Sequence, residues 1–244
     1  MALVSIGELR KIFRQGEVEV PALQGIDLAV HEGEFTTLVG PSGSGKTTLL
    51  NLIGGLDQPS SGVVTVDGQV LGALSQSALA DYRLSTVGFV FQAYNLVPVL
   101  SALENVEFVM VLQGHPAQES HRRALHYLER VGLGDMADRR PKALSGGQQQ
   151  RVAVARALAA APSLVLADEP TANLDTENAL SLLDLMADLN REEGMTFLFS
   201  THDARVMERA RRIVTLKDGR VHDDVIQSAP HTAQQPESAG KDSL

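Results

Sequence analysis

Eight residues constrain this chain more than any others: Gly40-Pro41-Ser42-Gly43-Ser44-Gly45-Lys46-Thr47 fits the pattern G-x-x-x-x-G-K-[ST]. The glycines let consecutive backbone N–H groups turn inward onto an anion, and a helix leaving the loop adds the positive end of its dipole. The flanking sequence supplies both partners. Residues 35–39 are apolar and β-branched, as a buried strand requires, and residues 48–56 read as a helix. The strand, loop and helix together predict a cradle for phosphate oxygens. Lys46 is expected to reach the β and γ phosphates as a point charge, and the Thr47 hydroxyl to ligate Mg²⁺.

A second stretch points to the same chemistry. Leu164-Val165-Leu166-Ala167 is an apolar strand that ends in two adjacent acids, Asp168 and Glu169. Alone, such a pair reads as a solvated turn. Beside a phosphate loop at the carboxyl edge of the same sheet, it supplies a metal-holding carboxylate in Asp168 and a general base for water in Glu169.

The rest of the chain sets the frame. Residues 3–9, 26–30 and 63–66 read as strands of an antiparallel layer, with turns at 31–34 and 67–68. From 102 to 160 the pattern turns helical, with Leu125, Leu128 and Val131 at helical spacing and Gly132 and Gly134 as a stop. Residues 164–167 and 196–200 are short uninterrupted apolar strands of the parallel-sheet kind, separated by a helix around 179–193. The expected organisation is an α/β nucleotide-binding core from 1–92 and 161–226, a helical lobe over 93–160 and a flexible tail over 227–244, the tail rich in Ser, Gln, Pro and Ala.

Composition narrows the function. A net charge of -9 argues against binding through a nucleic-acid backbone, and the absence of cysteine removes disulfides, thiolate nucleophiles and cysteine zinc sites. The start of the chain lacks the pattern of a secretory signal, and no window offers the about 18 uncharged apolar residues of a membrane span. Any membrane association is expected to come through a partner. His115, His121 and His126 do not share a helix face and read as solvated, while Arg209, Arg211 and Arg212 read as decoration of a helix end.

Leu144-Ser145-Gly146-Gly147-Gln148-Gln149-Gln150-Arg151 resembles the signature motif of the ABC-type ATPases. Gln92 after Gly88-Phe89-Val90-Phe91, Asn173-Leu174-Asp175 past Glu169, and His202 after Phe199-Ser200-Thr201 follow in that family's order, so the resemblance covers roughly residues 1–225. It implies a P-loop NTPase core of the ABC type, with an N-terminal antiparallel β layer and an inserted helical lobe. It implies ATP and Mg²⁺ as cofactors, with Gly40 to Thr48 on the nucleotide and Thr47, Gln92 and Asp168 on the metal. Lys46, Gln92, Glu169 and His202 take the catalytic roles. Ser145, Gly146, Gly147 and Gln148 lead into a second anion-binding helix, which in the family completes the ATP pocket of an opposite subunit, and Asp175 resembles the residue linking the two sites. Phe13 resembles the aromatic that stacks on adenine, and packing within the antiparallel layer is the other reading of that side chain.

Within the family the similarity is greatest to the subgroup that serves lipoprotein release and macrolide export through cell-division-type permeases, carried by 88–96, Leu103-Glu104-Asn105-Val106 and 166–170. The implied protein is a homodimer around two ATP, peripheral on the cytoplasmic side of the inner membrane through an integral permease. A non-transport permease complex that regulates envelope or division hydrolases is the alternative, and a nucleic-acid-linked ABC ATPase stands third. The apolar stretch 93–100 is expected to form the groove for a permease helix, with Tyr94 and Leu96 as its anchors.

Overall fold

A computed structural model of the chain describes residues 2–202, 207 and 210–227. Its first element is a long hairpin, β1 (Ala2–Gln15) with β2 (Val18–His31). The reversal takes two residues, and Gly16 at φ +64° supplies the left-handed backbone that tight hairpin turns need. Val4, Ile6 and Leu9 alternate inward along β1, and Leu23, Ile26, Leu28 and Val30 fill the same core from β2. The register slips between Ile6 and Leu9, where Glu8 adopts φ +47° and the strand bulges. With β4 (Ser61–Val66) and β5 (Gln69–Val70), these strands make an antiparallel sheet in the order β2-β1-β4-β5.

The second sheet holds β3 (Phe35–Val39), β6 (Val87–Val90), β7 (Leu164–Asp168), β8 (Thr196–Thr201), β9 (Arg212–Lys217) and β10 (Arg220–Ile226) in the order β10-β9-β3-β8-β7-β6. Every neighbouring pair is parallel except β9 with β10. Apolar side chains on both faces suit β3, β7 and β8 to the middle of such a sheet, where Phe35 packs at tilted angles on Phe197 and Phe199. Because β8 lies between β3 and β7, the loop leaving β3 and the acids ending β7 emerge on the same edge, on either side of the end of β8.

The helices are α1 (Lys46–Ile53), α2 (Gln76–Thr86), α3 (Ala102–Leu112), α4 (Ala117–Arg130), α5 (Gly146–Ala159) and α6 (Thr176–Glu193). Two buried clusters form. One joins α1 and both sheets through residues such as Leu49, Ile53, Leu38 and Val66. The other joins α3, α4, α5 and α6 to the six-stranded sheet through Met110, Leu128, Val152, Leu183 and Phe197. No helix among the described residues is long and apolar enough to cross a membrane.

Several elements differ from the sequence expectation. The hairpin strands run well beyond 3–9 and 26–30, because the outer half of the hairpin is a solvated ribbon whose apolar residues, Ile12, Phe13, Val18 and Val20, stay exposed and build no core face. Helix α1 begins at Lys46, two residues inside the loop motif. Arg212 does not decorate a helix end. It opens β9 and is mostly enclosed by Glu34 and Asp224, while Arg211 is exposed and Arg209 lies outside the described residues. Of the expected tail, residues 228–244 also lie outside them.

Candidate functional site

The phosphate loop leaves β3 and wraps the start of α1, and two of its glycines are sterically obligatory. Gly40 has φ +150° and a Cβ there would sit 2.2 Å from the Leu216 carbonyl oxygen; Gly45 has φ +105° and a Cβ would sit 2.6 Å from the Leu23 side chain. Gly45 also stands at the N-cap of α1 without a side-chain cap, so the first N–H groups of that helix are left for another acceptor. Lys46 is 8% exposed, and its ammonium donates to the carbonyls of Gly40 at 2.8 Å and Pro41 at 3.3 Å. A buried cation is thereby fixed over the loop it serves. The Ser44 hydroxyl is buried beside it with no protein partner.

These residues line a cavity of about 660 Å³ whose walls are Val20, Pro21 and Ala22 of β2, Ser42 to Thr48, Gln92, Glu169, Ala172 and His202. Asp168, next to the lining Glu169, is tied to the loop: its Oδ1 accepts from Thr47 Oγ1 at 3.1 Å and from Ser200 Oγ at 2.6 Å. Glu169 stands just past the end of β7 with φ +49°, and its Oε2 lies 2.9 Å from His202 Nδ1. The backbone carbonyl of Gln92 accepts from Asn173 Nδ2 at 2.9 Å, which ties the loop after β6 to the one after β7. Phe13 does not line the cavity itself. It is the cross-strand partner of Val20, which does, and Lys11 Nζ lies 4.9 Å from its ring centroid.

The sequence reading missed Val20, Pro21, Ala22 and Ser200. The first three carry no motif, and only the hairpin register brings them over the loop. Ser200 reads as one polar residue in an apolar strand until its pairing with Asp168 is known.

Ser145, Gly146, Gly147, Gln148 and Asp175 lie off this cavity. Ser145 caps α5 with a reciprocal box: its hydroxyl accepts from the Gln148 N–H at 3.3 Å, and Gln148 Oε1 accepts from the Ser145 N–H at 2.9 Å. Asp175 caps α6, accepting from the backbone N–H and the side-chain amide of Asn178 at 2.9 and 2.7 Å; those bonds hold its carboxyl below the usual range.

A second cavity, of about 640 Å³, is strongly apolar and runs between α2, β6, α3 and α5, with Leu56, Phe89, Val97, Phe108 and Leu112 among its walls. Tyr94 and Leu96, expected as anchors here, do not line it. Tyr94 and Asn95 take φ +57° and +51°, which reverses the chain. The reversal carries the Tyr94 hydroxyl to Gly146, where a Cβ would lie 2.8 Å from it, and presses Leu96 onto the helical core, leaving Asn95 and Val97 on the groove. Arg156 of α5 holds the reversal by donating to the carbonyls of Asn95 at 2.6 Å and Tyr94 at 3.0 Å.

The histidines of the helical segment lie at the surface, His121 and His126 exposed and His115 half-buried, each beside a neighbour. His121 meets Glu107 at 2.8 Å, His115 lies 3.9 Å from Glu119, and His126 packs edge-on to Tyr127; no metal-holding cluster occurs among the described residues.

The profile of the ABC transporter family matches residues 23–172. The lipoprotein-releasing system ATP-binding protein LolD of Anaeromyxobacter dehalogenans (strain 2CP-C) is 51% identical over 229 residues, covering 93% of this chain and 94% of that protein. The macrolide export ATP-binding/permease protein MacB of Marinobacter nauticus is 44% identical over 97% of this chain, which spans only 36% of that longer protein. Among solved structures, the ATP-binding cassette MJ0796 in a dimeric post-hydrolysis state bound to ADP and Pi is 41% identical with a TM-score of 0.86, covering 93% of this chain and 99% of that one.

Proposed function

Since the chain belongs to the ABC transporter family, as one of its ATP-binding, ATP-hydrolysing subunits, we propose that the cavity at the phosphate loop takes MgATP, that two copies close around two nucleotides, and that this closure drives a separate membrane permease. One observation carries the reading. Four stretches far apart in sequence, at 42–48, 92, 169 and 202, line a single cavity, and Asp168, next to Glu169, is bonded to Thr47 of the first. In this reading 1–92 and 161–226 form the nucleotide core and 93–160 the lobe that carries the signature.

Each residue then has a task. The loop N–H groups and Lys46 hold the β and γ phosphates, with Gly40, Pro41, Ser42, Gly43, Ser44, Gly45 and Thr48 shaping the cradle. Phe13, on the strand facing Val20, offers its ring to the adenine. Thr47 and Asp168 are hard oxygen donors with Oγ1 and Oδ1 3.1 Å apart, and the Gln92 amide lies on the same cavity, a set that suits Mg²⁺. When bound, the metal neutralises charge on the β and γ oxygens. Glu169 accepts the proton of the attacking water, and His202, hydrogen-bonded through Nδ1, keeps its other ring nitrogen for the γ-phosphate. Ser145, Gly146, Gly147, Gln148 and Asp175 serve the partner copy, consistent with their position off their own cavity and with the dimeric form of the solved relative.

The apolar groove is the docking site for a cytoplasmic helix of the permease, of the lipoprotein-release or macrolide-export type suggested by the named relatives. The chain would then sit peripherally on the cytoplasmic side of the inner membrane. Nucleic acid has no place in this reading, given the net charge of -9.

The decisive variant is Glu169→Gln. The amide keeps the shape but cannot accept a proton, so turnover should fall by about 10²–10⁴-fold while ATP binding persists, and ATP should shift the chain to a dimer in gel filtration. An unchanged elution volume for a variant shown to bind ATP would overturn the assignment.

A further inference from the structure

Ser200 sits at the last register pair of β7 and β8, directly across from Asp168, and is fully buried. Its hydroxyl is used in both directions. It donates to Asp168 Oδ1 at 2.6 Å and accepts the backbone N–H of Glu169 at 3.0 Å. Glu169 is the first residue past the end of β7, and its φ of +49° is a conformation that non-glycine residues adopt only when their surroundings impose it. One oxygen thus fixes the side chain of one acid and the backbone of the next.

We propose that Ser200 is a positioning residue for hydrolysis, a hydroxyl clamp that sets the rotamer of Asp168 and holds Glu169 in the left-handed turn that brings its carboxylate to His202. The geometry of each bond supports it. Asp168 Oδ1 is shared between Thr47 and Ser200, so without the serine a single 3.1 Å bond from an exposed hydroxyl is left to orient that oxygen. The Glu169 N–H has no other acceptor among the described residues, and removing Ser200 Oγ strands a donor at the point where the chain must turn. An extended φ at Glu169 would swing its carboxylate away from the cavity wall it shares with His202. Thr201, the next residue along β8, faces the opposite side of the sheet and cannot stand in for the serine.

The proposal rests on the ATPase reading above, and the test separates the two. Ser200→Thr and Ser200→Val in the full chain are nearly isosteric: both add a methyl to the β-carbon, and the valine carries a second methyl where the threonine keeps the hydroxyl. The threonine variant should keep kcat within a few-fold of the parent, while the valine variant loses about a hundredfold in kcat with the KM for ATP nearly unchanged, as expected of a misplaced reacting group. A readout independent of turnover is Mn²⁺ binding to the ADP-loaded chain by electron paramagnetic resonance, which should weaken several-fold in the valine variant and not in the threonine one. If the added methyl lowers the melting temperature of both, Ser200→Ala, which only removes an atom, is read by the same kcat and KM split. Equal kcat and equal Mn²⁺ affinity for the hydroxyl-bearing and hydroxyl-free variants would overturn the clamp. An inactive parent chain would instead overturn the ATPase reading itself.

Discussion

Arg212 makes its contacts from a mostly enclosed position: its guanidinium grips Asp224 through two nitrogens at 2.8 and 2.7 Å, Glu34 at 2.8 Å and the Ala29 carbonyl at 2.7 Å. The pairing pushes the Asp224 carboxyl below its ordinary value and the guanidinium above its own. A lowered carboxyl contributes stability above its unfolded pKa of about 4 and loses it as pH falls through the folded value. Asp224→Asn should therefore lower the melting temperature at pH 7 by about 2–4 °C, the scale of a well-formed but partly exposed ion pair, and the gap should begin to narrow below about pH 4 and go on narrowing as pH falls through the lower folded value. Calorimetry at a series of pH values from 7 to below 3 checks it; a gap of constant size over the whole range would show that charge is not the cause. At this scale legibility follows chemistry. Lys46, Asp168 and Glu169 could be read from the sequence because phosphate and water chemistry demand those side chains at those spacings. Arg212 and Ser200 could not, since their partners lie 178 and 32 residues away and only the strand register brings them together.

Helix α5 carries its proposed in-trans role at one end. Its Ser145–Gln148 box satisfies two backbone donors, and Gly146 and Gly147 in the first turn leave room against the Tyr94 hydroxyl and Asn178. Replacing Ser145 by Arg removes the cap, at a cost of about 1 kcal/mol, and plants a long cation where the partner's nucleotide should dock. ATP binding by the monomer should stay within about twofold of the parent, since Ser145 lies off its own cavity, whereas the ATP-dependent dimer is lost. Equilibrium binding followed by sedimentation decides it, and loss of monomer binding would refute the in-trans role. The same end was legible as the head of a helix because Leu144 to Arg151 resembles the family signature, although the helix starts at Gly146, inside that motif. Strand β9 and helix α2 were not. Helix α2 shows little contrast between its faces, and β9 alternates only in part before pairing in parallel with a strand far back in sequence.

Across the whole molecule, the proposed nucleotide site and the apolar groove proposed for the permease meet at the segment that follows Gln92. One of its ends is tied to the loop after β7 by Asn173, and its turn at Tyr94 and Asn95 is gripped by Arg156, a groove-lining side chain of the same helix whose N-terminus carries the signature. These hydrogen bonds give a shift of Gln92 a contiguous route to the turn and, through Arg156, to α5, which the variants below test. The groove's uncovered large apolar side chains are Leu56 at 47%, Phe108 at 44% and Leu112 at 56% exposure, and the last two, together on α3, are the anchors the docking proposal calls for, rather than Tyr94 and Leu96, which already have partners within the chain. The sequence placed an interface near 93–100 from its apolar content, but it could not show that two left-handed residues turn alternate side chains inward. Phe108→Ala with Leu112→Ala should leave the melting temperature and basal ATP hydrolysis of the isolated chain nearly unchanged, since both side chains are largely outside the core, and weaken co-purification of the permease at least tenfold, as loss of two large apolar anchors does. Tyr94→Ala should do the reverse, altering basal turnover through the turn beside Gly146 while permease assembly persists. If the α3 pair binds the permease at full affinity with an unchanged melting temperature, the groove is not the docking site, and the coupling between Gln92 and Arg156 serves the two ATP sites alone.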